Sequence, residues 1–295
     1  MYSFHELADI VQNEIKNLKY PQQPELLYAP IVYSLEEGGK RIRPVALLMA
    51  CNLFRDEIDC AKPAVHTRWN DNVAILSGDA MMIYAYKLLC GCDRRVLPQL
   101  LETFNETAIG VCEGQQYDMD FESRDDVTVD RYLEMIRLKT GVLLAGALKL
   151  GAICAEAQPW QAELLYNFGI NVGLAFQLQD DLFDTYGDAA VFGKPIGGDI
   201  LAGKKTFLLT TALKTADAAT RGELLARLHD GGMSAAEKIE TVRGIYDRLG
   251  VRKITEKAIA DYFRNADRIL NSLEVGIERI VPLQELSETL LNRKK

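Results

Sequence analysis

The sequence has no run of about 18 consecutive apolar residues, the length that a membrane-spanning helix needs. Its first stretch, residues 1–20, has neither the basic start nor the apolar segment of a signal peptide. We therefore expect no integral membrane segment and a cytoplasmic protein. The six cysteines are scattered, and Cys90-Gly91-Cys92 lacks the spacing of a zinc or thioredoxin site, so reduced core thiols are expected.

The sequence also has fewer positively than negatively charged residues. The chain has 34 Lys and Arg against 42 Asp and Glu, a net charge of −8, which argues against nucleic acid or an anionic membrane as a partner. An anionic small molecule would have to be held by local basic clusters or by a metal ion. The three histidines form no Ser/His/Asp or Cys/His arrangement, so the sequence does not indicate a side-chain nucleophile.

Proline is scarce, with nine residues in 295, and long stretches follow the 3.6-residue helical period. Strand alternation is absent, and neither a linker nor a repeat divides the chain. We therefore expect an all-α fold in a single domain over residues 1–295. The predicted helices are residues 4–18, 26–36, 41–54, 71–90, 96–120, 129–139, 141–155, 158–187, 205–215, 219–229, 235–249, 251–272 and 276–293.

The most informative feature that is present is an acidic cluster within an apolar helix. Asp180 and Asp184 are four residues apart, and Asp181 lies three before Asp184, so neighbouring side chains should be about 5–6 Å apart. Such carboxylates repel one another unless cations neutralise them, and Mg²⁺ prefers carboxylate and water oxygens and bridges to phosphates. A solvated acidic face is the alternative, but the flanking residues 168–176 are too apolar for it. The cluster predicts a metal site.

Basic turns lie before and after this helix. Gly38-Gly39-Lys40-Arg41-Ile42-Arg43-Pro44 joins a glycine turn to three cations at a helix start, where backbone N–H groups favour anions. Gly193-Lys194-Pro195 and Gly203-Lys204-Lys205 follow the helix. The latter nearly completes a P-loop with Gly198, but no apolar strand precedes it. Each turn alone could be a solvated surface turn. Together with the aspartates, they predict a diphosphate held between metal ions and lysines.

The motifs together resemble the trans-isoprenyl diphosphate synthases of the polyprenyl synthetase family. They span most of the chain in the family's order, which is far more specific than any one of them. The matching residues are Gly38-Gly-Lys-Arg-x-Arg-Pro44, Leu76-Ser-Gly-Asp79, Gly114-Gln115-x-x-Asp118, Lys139-Thr140, Phe176-Gln177-x-x-Asp180-Asp181-x-x-Asp184, Gly193-Lys194, and Gly198-Asp199 through Lys204-x-Thr206.

The resemblance implies an isoprenoid-synthase-type helical bundle around a central cavity, and a homodimer. It also implies a Mg²⁺-dependent prenyltransferase that condenses isopentenyl diphosphate with an allylic prenyl diphosphate. The product would be a trans-prenyl diphosphate of short to medium length, farnesyl, geranylgeranyl or longer. Its length cannot be read from this sequence, because the residues that set it in the family precede a motif that is missing here.

The resemblance also implies a role for each matching residue. Asp180, Asp181 and Asp184 would bind the metal ions. Gly39, Lys40 and Arg43 would bind the diphosphate of isopentenyl diphosphate. The candidate catalytic residues at the allylic diphosphate are Lys139, Gln177, Lys194 and Lys204, and further candidate substrate-binding residues are Thr140 and Gln115.

The chain departs from the family in one respect. The family's first aspartate-rich motif and the arginine pair that follows it are absent, and about 30 residues, roughly 45 Å of helix, are missing near Ala61 and Lys62. Three explanations stay open: a disordered loop omitted from the sequence, an engineered deletion, or a natural variant without that metal site. The first predicts that the Cα atoms of Ala61 and Lys62 lie much farther apart than about 3.8 Å.

Two other functions remain as alternatives. If the first motif is absent from the gene, the protein could be a non-catalytic subunit that binds a synthase partner. A terpene cyclase shares the fold and the metal chemistry, but the basic turn at Gly39, Lys40 and Arg43 argues against it, because a cyclase has no second diphosphate to hold.

Overall fold

The computed structural model describes residues 4–36 without 19 and 22, residues 70–187 and residues 196–291. Within these ranges the chain is helical and contains no strand, which confirms the all-α prediction. The helices are α1 Phe4–Asn17, α2 Glu25–Glu36, α3 Asp71–Leu89, α4 Leu97–Glu122, α5 Val129–Ile136, α6 Val142–Cys154, α7 Pro159–Tyr186, α8 Gly198–Leu201, α9 Phe207–Thr215, α10 Ala218–His229, α11 Ala235–Arg248, α12 Val251–Asn271 and α13 Ile277–Leu291.

The predicted helix limits agree with these bounds to within about two residues, apart from one region, and the predicted helix 41–54 lies outside the described residues. A break was expected at Thr140 and Gly141. Instead, Arg137–Gly141 forms a π-helical segment that joins α5 directly to α6. The short helix α8 was not predicted. It is a single turn after Gly197, whose φ of +82° lies in the left-handed region that favours glycine.

Contacts divide the chain into two compact units, Met1–Asn105 with Ala147–Ala162, and Glu106–Gly146 with Glu163–Lys295. In the first unit α2 packs against α3. The expectation of a single domain over the whole chain stays a prediction. None of the described helices combines the length and apolarity required to cross a bilayer.

The second unit is built around α9, whose residues 207–213 are all buried. This helix packs against α5, α11 and α12. Thr206 caps it, since the Thr206 hydroxyl accepts a hydrogen bond from the Leu209 amide at 3.3 Å. A helix surrounded by other helices has no polar face, and its N-terminus is therefore the part that can meet buried polar groups.

The π-helical segment lies between α4 and α7 at very short distances. A Cβ atom on Gly114 of α4 would lie 2.2 Å from the backbone nitrogen of Lys139, and one on Gly173 of α7 would lie 2.7 Å from Cα of Gly141. Glycine is therefore required on both neighbouring helices. This packing fixes the segment that carries Lys139 and Thr140.

Candidate active site

The middle aspartate of the acidic helix points into the protein. Asp181 is 4% exposed. Its Oδ2 accepts hydrogen bonds from the Tyr132 hydroxyl and from the Phe207 amide, the latter at 3.2 Å. Its Oδ1 accepts one from the Gln177 side-chain amide at 3.2 Å. The carboxylate is thus held by α5, by its own helix and by the first residue of α9.

Burial raises the pKa of Asp181 to about 7, and the negative charge of nearby Asp199 acts in the same direction. The hydrogen bonds from Tyr132, Gln177 and Phe207 favour the charged form and partly oppose this rise. The N-terminus of α9 also favours an anion, because the Phe207 amide and the positive end of the helix dipole are directed at the carboxylate.

The last aspartate of the motif is tied to the turn that precedes α8. Oδ2 of Asp184 accepts a hydrogen bond from the Asp199 amide at 2.9 Å, and its backbone carbonyl accepts one from the Gly197 amide at 2.6 Å. Burial raises the pKa of Asp184. Oδ1 of Asp199 in turn lies 2.7 Å from Nζ of Lys204, and this hydrogen bond raises the pKa of Lys204. Lys204 is therefore joined to the acidic helix through a single carboxylate.

The π-helical segment directs its two polar residues to different helices. Lys139 forms an ion pair with Asp118 of α4, with 2.5 Å between Nζ and Oδ2. The Thr140 hydroxyl donates to Oε1 of Gln177 on α7 at 3.1 Å. Because Gln177 donates to Asp181, Thr140 and Asp181 belong to one hydrogen-bonded chain.

The structure thus brings most of the described candidate residues together in the second unit. Thr140, Gln177 and Asp181 form one network, and Asp184 and Lys204 are linked through Asp199. A small cleft contains some of these residues and their partners. It is lined by Asp118, Phe121, Glu122, Met135, Lys204 and Lys205. Gly39, Lys40, Arg43 and Lys194 lie outside the described residues, so their predicted roles stay predictions.

Two predicted residues are placed without a clear role. Gln115 is exposed on α4, next to the close contact at Gly114, and its substrate role stays a prediction. Asp180 is half-buried on α7. Among the described residues, no three His, Cys, Asp or Glu side chains are arranged so that they could hold a metal ion.

The available donors nevertheless suit magnesium. Mg²⁺ is usually held by one or two carboxylates together with substrate phosphates and water, and does not need a complete protein cage. Asp180 and Asp184 are half-buried carboxylates of the right chemistry on the same helix face. Asp181 fits less well than the sequence suggested, because both of its oxygens already accept hydrogen bonds from the protein.

Sequence reasoning missed Tyr132, which is 2% exposed and donates to Asp181. A signal was available. A tyrosine on the apolar face of a helix needs a hydrogen-bond partner once it is buried, whereas phenylalanine would fill the same space without one. The Phe207 amide could not have been found in this way, because a backbone donor has no residue type of its own.

Comparisons with known proteins identify the family of this chain. The polyprenyl synthetase family model matches residues 61–246. A short chain isoprenyl diphosphate synthase of Methanothermobacter thermautotrophicus is 33% identical, over 85% of this chain and 86% of its own. A geranylgeranyl diphosphate synthase of Methanosarcina mazei is 32% identical, over 91% of this chain and 87% of its own. A crystal structure of a geranylgeranyl pyrophosphate synthase has a TM-score of 0.92 and 36% identity, with all of both chains covered.

The alignments also show that the relatives carry additional residues. The alignment with the Methanothermobacter protein has 282 positions, yet 85% of this 295-residue chain is about 251 residues, which leaves about 31 positions without a counterpart here. For the Methanosarcina protein there are 301 positions and 91% of the chain, about 268 residues, which leaves about 33. With a family model that matches more than half of its length and relatives above 30% identity, this chain belongs to the polyprenyl synthetase family.

Proposed function

We propose that the protein is a Mg²⁺-dependent trans-prenyltransferase that condenses isopentenyl diphosphate with an allylic prenyl diphosphate. One observation carries the proposal. In a chain of this family, two lysines of the second unit form ion pairs with half-buried aspartates, Lys139 with Asp118 and Lys204 with Asp199, and Asp118 and Lys204 line the same small cleft. A site of alternating cations and carboxylates suits a diphosphate with its metal ions, because each charge of the ligand then meets an opposite charge.

Prenyl transfer needs a leaving group to be stabilised. The allylic C–O bond breaks and its electron pair departs with the diphosphate. The double bond of isopentenyl diphosphate then attacks the allylic cation, a C–C bond forms, and a proton leaves. Lys139, Lys204 and the predicted Lys194 would stabilise the charge that grows on the departing diphosphate. The ion pairs of the first two lysines with Asp118 and Asp199 support this role, because a bound diphosphate would take the place of these carboxylates.

Asp180 and Asp184 would hold Mg²⁺, which when bound neutralises part of the diphosphate charge. Thr140 and Gln177 would orient the allylic diphosphate through the hydrogen-bonded chain that they form. Gly39, Lys40 and Arg43 would bind isopentenyl diphosphate, and Gln115 would contribute to substrate binding. These four assignments rest on the motif match in the sequence.

We propose a product of short to medium length. The relatives support this range, since their names are those of short chain, geranylgeranyl and geranylfarnesyl diphosphate synthases. We also propose a cytoplasmic homodimer. The side of α3 that carries Ile75, Leu76 and Ile83 supports self-association, because each of these side chains is more than half exposed.

The absence of the first aspartate motif is part of the proposal. We place a deletion of about 30 residues near Ala61 and Lys62, both of which lie outside the described residues. The 31 to 33 unmatched positions in the two alignments support its size. The family's full reaction would then need this segment to be present in the natural protein.

The test is an assay with Mg²⁺, radiolabelled isopentenyl diphosphate and separate dimethylallyl, geranyl and farnesyl primers. It compares the chain as given with a chain in which the 30-residue segment of a relative is inserted between Ala61 and Lys62. Extended products from the restored chain support a synthase and give the product length. If neither chain extends any primer, the synthase proposal fails and the non-catalytic subunit remains.

A further inference from the structure

Asp181 is the most completely engaged carboxylate of the acidic helix. It is 4% exposed and accepts three hydrogen bonds from three separate elements: α5 through Tyr132, α7 through Gln177, and the N-terminus of α9 through Phe207. A buried carboxylate that accepts hydrogen bonds from several helices holds those helices together. Its oxygens are directed at protein donors, while its neighbours Asp180 and Asp184 are half-buried.

Tyr132 is the side chain that completes this arrangement. It is 2% exposed, its ring centroid lies 6.3 Å from that of Phe207, and its hydroxyl donates to the same oxygen of Asp181 that the Phe207 amide contacts. A buried phenol without a partner would be costly, and a buried carboxylate that lost a donor would be costly too. Each group therefore fixes the other.

The hydrogen bonds of Asp181 help to fix the rotation of α7 about its axis. Successive residues of an α-helix are about 100° apart, so a helix held at Asp181 also has fixed directions for Asp180 and Asp184. The same contact orients Gln177, which receives the hydrogen bond from Thr140. Asp180, Asp184 and Gln177 lie on the helix that this buried hydrogen bond helps to hold, and Gln177 joins Thr140 to it.

We infer that Tyr132 is a positioning residue of the prenyl-transfer site, which acts by fixing Asp181 and through it the metal-binding face of α7. The inference rests on the proposed function, and it assigns Asp181 to the support of the site. Asp180 and Asp184 are then the carboxylates that meet the metal ion. Outer-shell partners of metal-binding residues typically change affinity or activity by about 10- to 100-fold when they are removed.

The test uses Tyr132→Phe in the full chain, with Tyr186→Phe as a matched control. Tyr186 lies on α7, the helix that carries Asp181, and makes the same kind of bond, from its hydroxyl to Oδ1 of Asp247 at 2.8 Å, but to an exposed carboxylate. Two quantities are measured: the dissociation constant of inorganic diphosphate with Mg²⁺ by calorimetry, and kcat and KM for each substrate as a function of Mg²⁺ concentration.

Tyr132→Phe should weaken binding of Mg²⁺ with diphosphate by roughly tenfold or more and lower kcat, with little change in KM for isopentenyl diphosphate. Tyr186→Phe should stay within about twofold of the parent in both measurements. A folded Tyr132→Phe protein that binds diphosphate and Mg²⁺ as the parent does would overturn the inference. If neither the parent nor the restored chain extends a primer, the proposed function fails, while the calorimetric comparison still tests the positioning role.

A second pair of variants keeps the inference testable if Tyr132→Phe does not fold. Asp181→Asn keeps an oxygen acceptor for Tyr132 and Phe207 but removes the charge, whereas Asp180→Asn removes charge from a predicted metal ligand. A positioning role predicts that Asp181→Asn binds Mg²⁺ with diphosphate at least about tenfold more tightly than Asp180→Asn. Equal losses for the two variants would make Asp181 a direct ligand and refute the inference.

Discussion

Helix α7 makes two tyrosine–aspartate hydrogen bonds, one on its inner side and one at its outer end. On the inner side, Tyr132 donates to Asp181, and both residues are almost completely buried. At the outer end, Tyr186 of α7 donates to the exposed Asp247 of α11. The chemical groups are identical, but their surroundings are not.

The surroundings decide what each bond contributes. At the outer end the Arg243 and Arg252 guanidinium groups lie over the Tyr186 ring, 5.7 and 5.1 Å from its centroid, and water reaches Asp247. Burial, together with Asp247, raises the pKa of Tyr186. When such a bond breaks, water replaces the lost partner, whereas a buried group keeps the full cost of desolvation. The inner side of α7 should therefore be sensitive to small changes that the outer end tolerates.

The largest effect should come from the inner side and should concern catalysis. Asp180→Ala removes a predicted metal ligand and should lower turnover by roughly two orders of magnitude or more, because metal neutralisation of the leaving group is worth several kcal/mol. Thermal unfolding should change little, since Asp180 is only half-buried. Steady-state assays and circular dichroism melts check both parts. Unchanged turnover would contradict its metal role.

The next largest effect concerns packing. Gly173→Ala places a Cβ atom 2.7 Å from the Cα of Gly141, so backbone must move, and the protein should lose about 1–3 kcal/mol of stability. Gly244→Ala on α11 is the control, because no atom lies within 4 Å of a Cβ there and alanine favours a helix by about 0.5–1 kcal/mol. Urea denaturation measures both. Equal changes in stability for the two variants would remove the expected contrast between the closely packed Gly173 and the open Gly244.

Stability should also separate the two tyrosines. Tyr132→Phe leaves the buried Asp181 carboxylate with one donor fewer and should cost about 1–3 kcal/mol of unfolding free energy. The change is read from urea denaturation, and combination with Asp181→Ala, which removes the acceptor, in a double-mutant cycle isolates the interaction between the two residues. Strict additivity of the two variants would show that this hydrogen bond is not the reason for the loss.

The smallest effect belongs to the outer end. Tyr186→Phe removes one exposed hydrogen bond and should cost at most about 1 kcal/mol, since water can replace the phenol at Asp247. The same urea titration measures it. A cost as large as that of Tyr132→Phe would break the comparison, because burial would then not decide the energy of the bond.

The helical period and the glycine signals were enough to predict the fold. Helix limits came within about two residues, and Thr140, Gln177 and Asp181, grouped from sequence, do meet in one network. The helical period could not show which aspartate faces the core. Asp180 and Asp181 point about 100° apart on a helix, and only the packing of α5 and α9 turns Asp181 inward.

Two further features had no sequence signal. The amide of Phe207 holds Asp181, but every non-proline residue has such a donor, so only tertiary structure selects it. The stretch at Lys139 and Thr140 was predicted as a break because Gly141 follows. Gly141 instead serves close packing, since its Cα would lie only 2.7 Å from a Cβ on Gly173, and the chain continues without interruption.

The π-helical segment Arg137–Gly141 changes the helical phase between α5 and α6, which it joins into one continuous helix. Wider π-helical winding accommodates one residue more than an α-helix would, so the side chains of α6 are rotated by about 100° from where α5 alone would have put them. This continuous helix thereby directs Tyr132 of α5 to the core, and directs Lys139 and Thr140 to helices on two different sides. Deleting one residue from Arg137–Gly141 would undo that rotation, and every side chain of α6 would then turn away from its present neighbour.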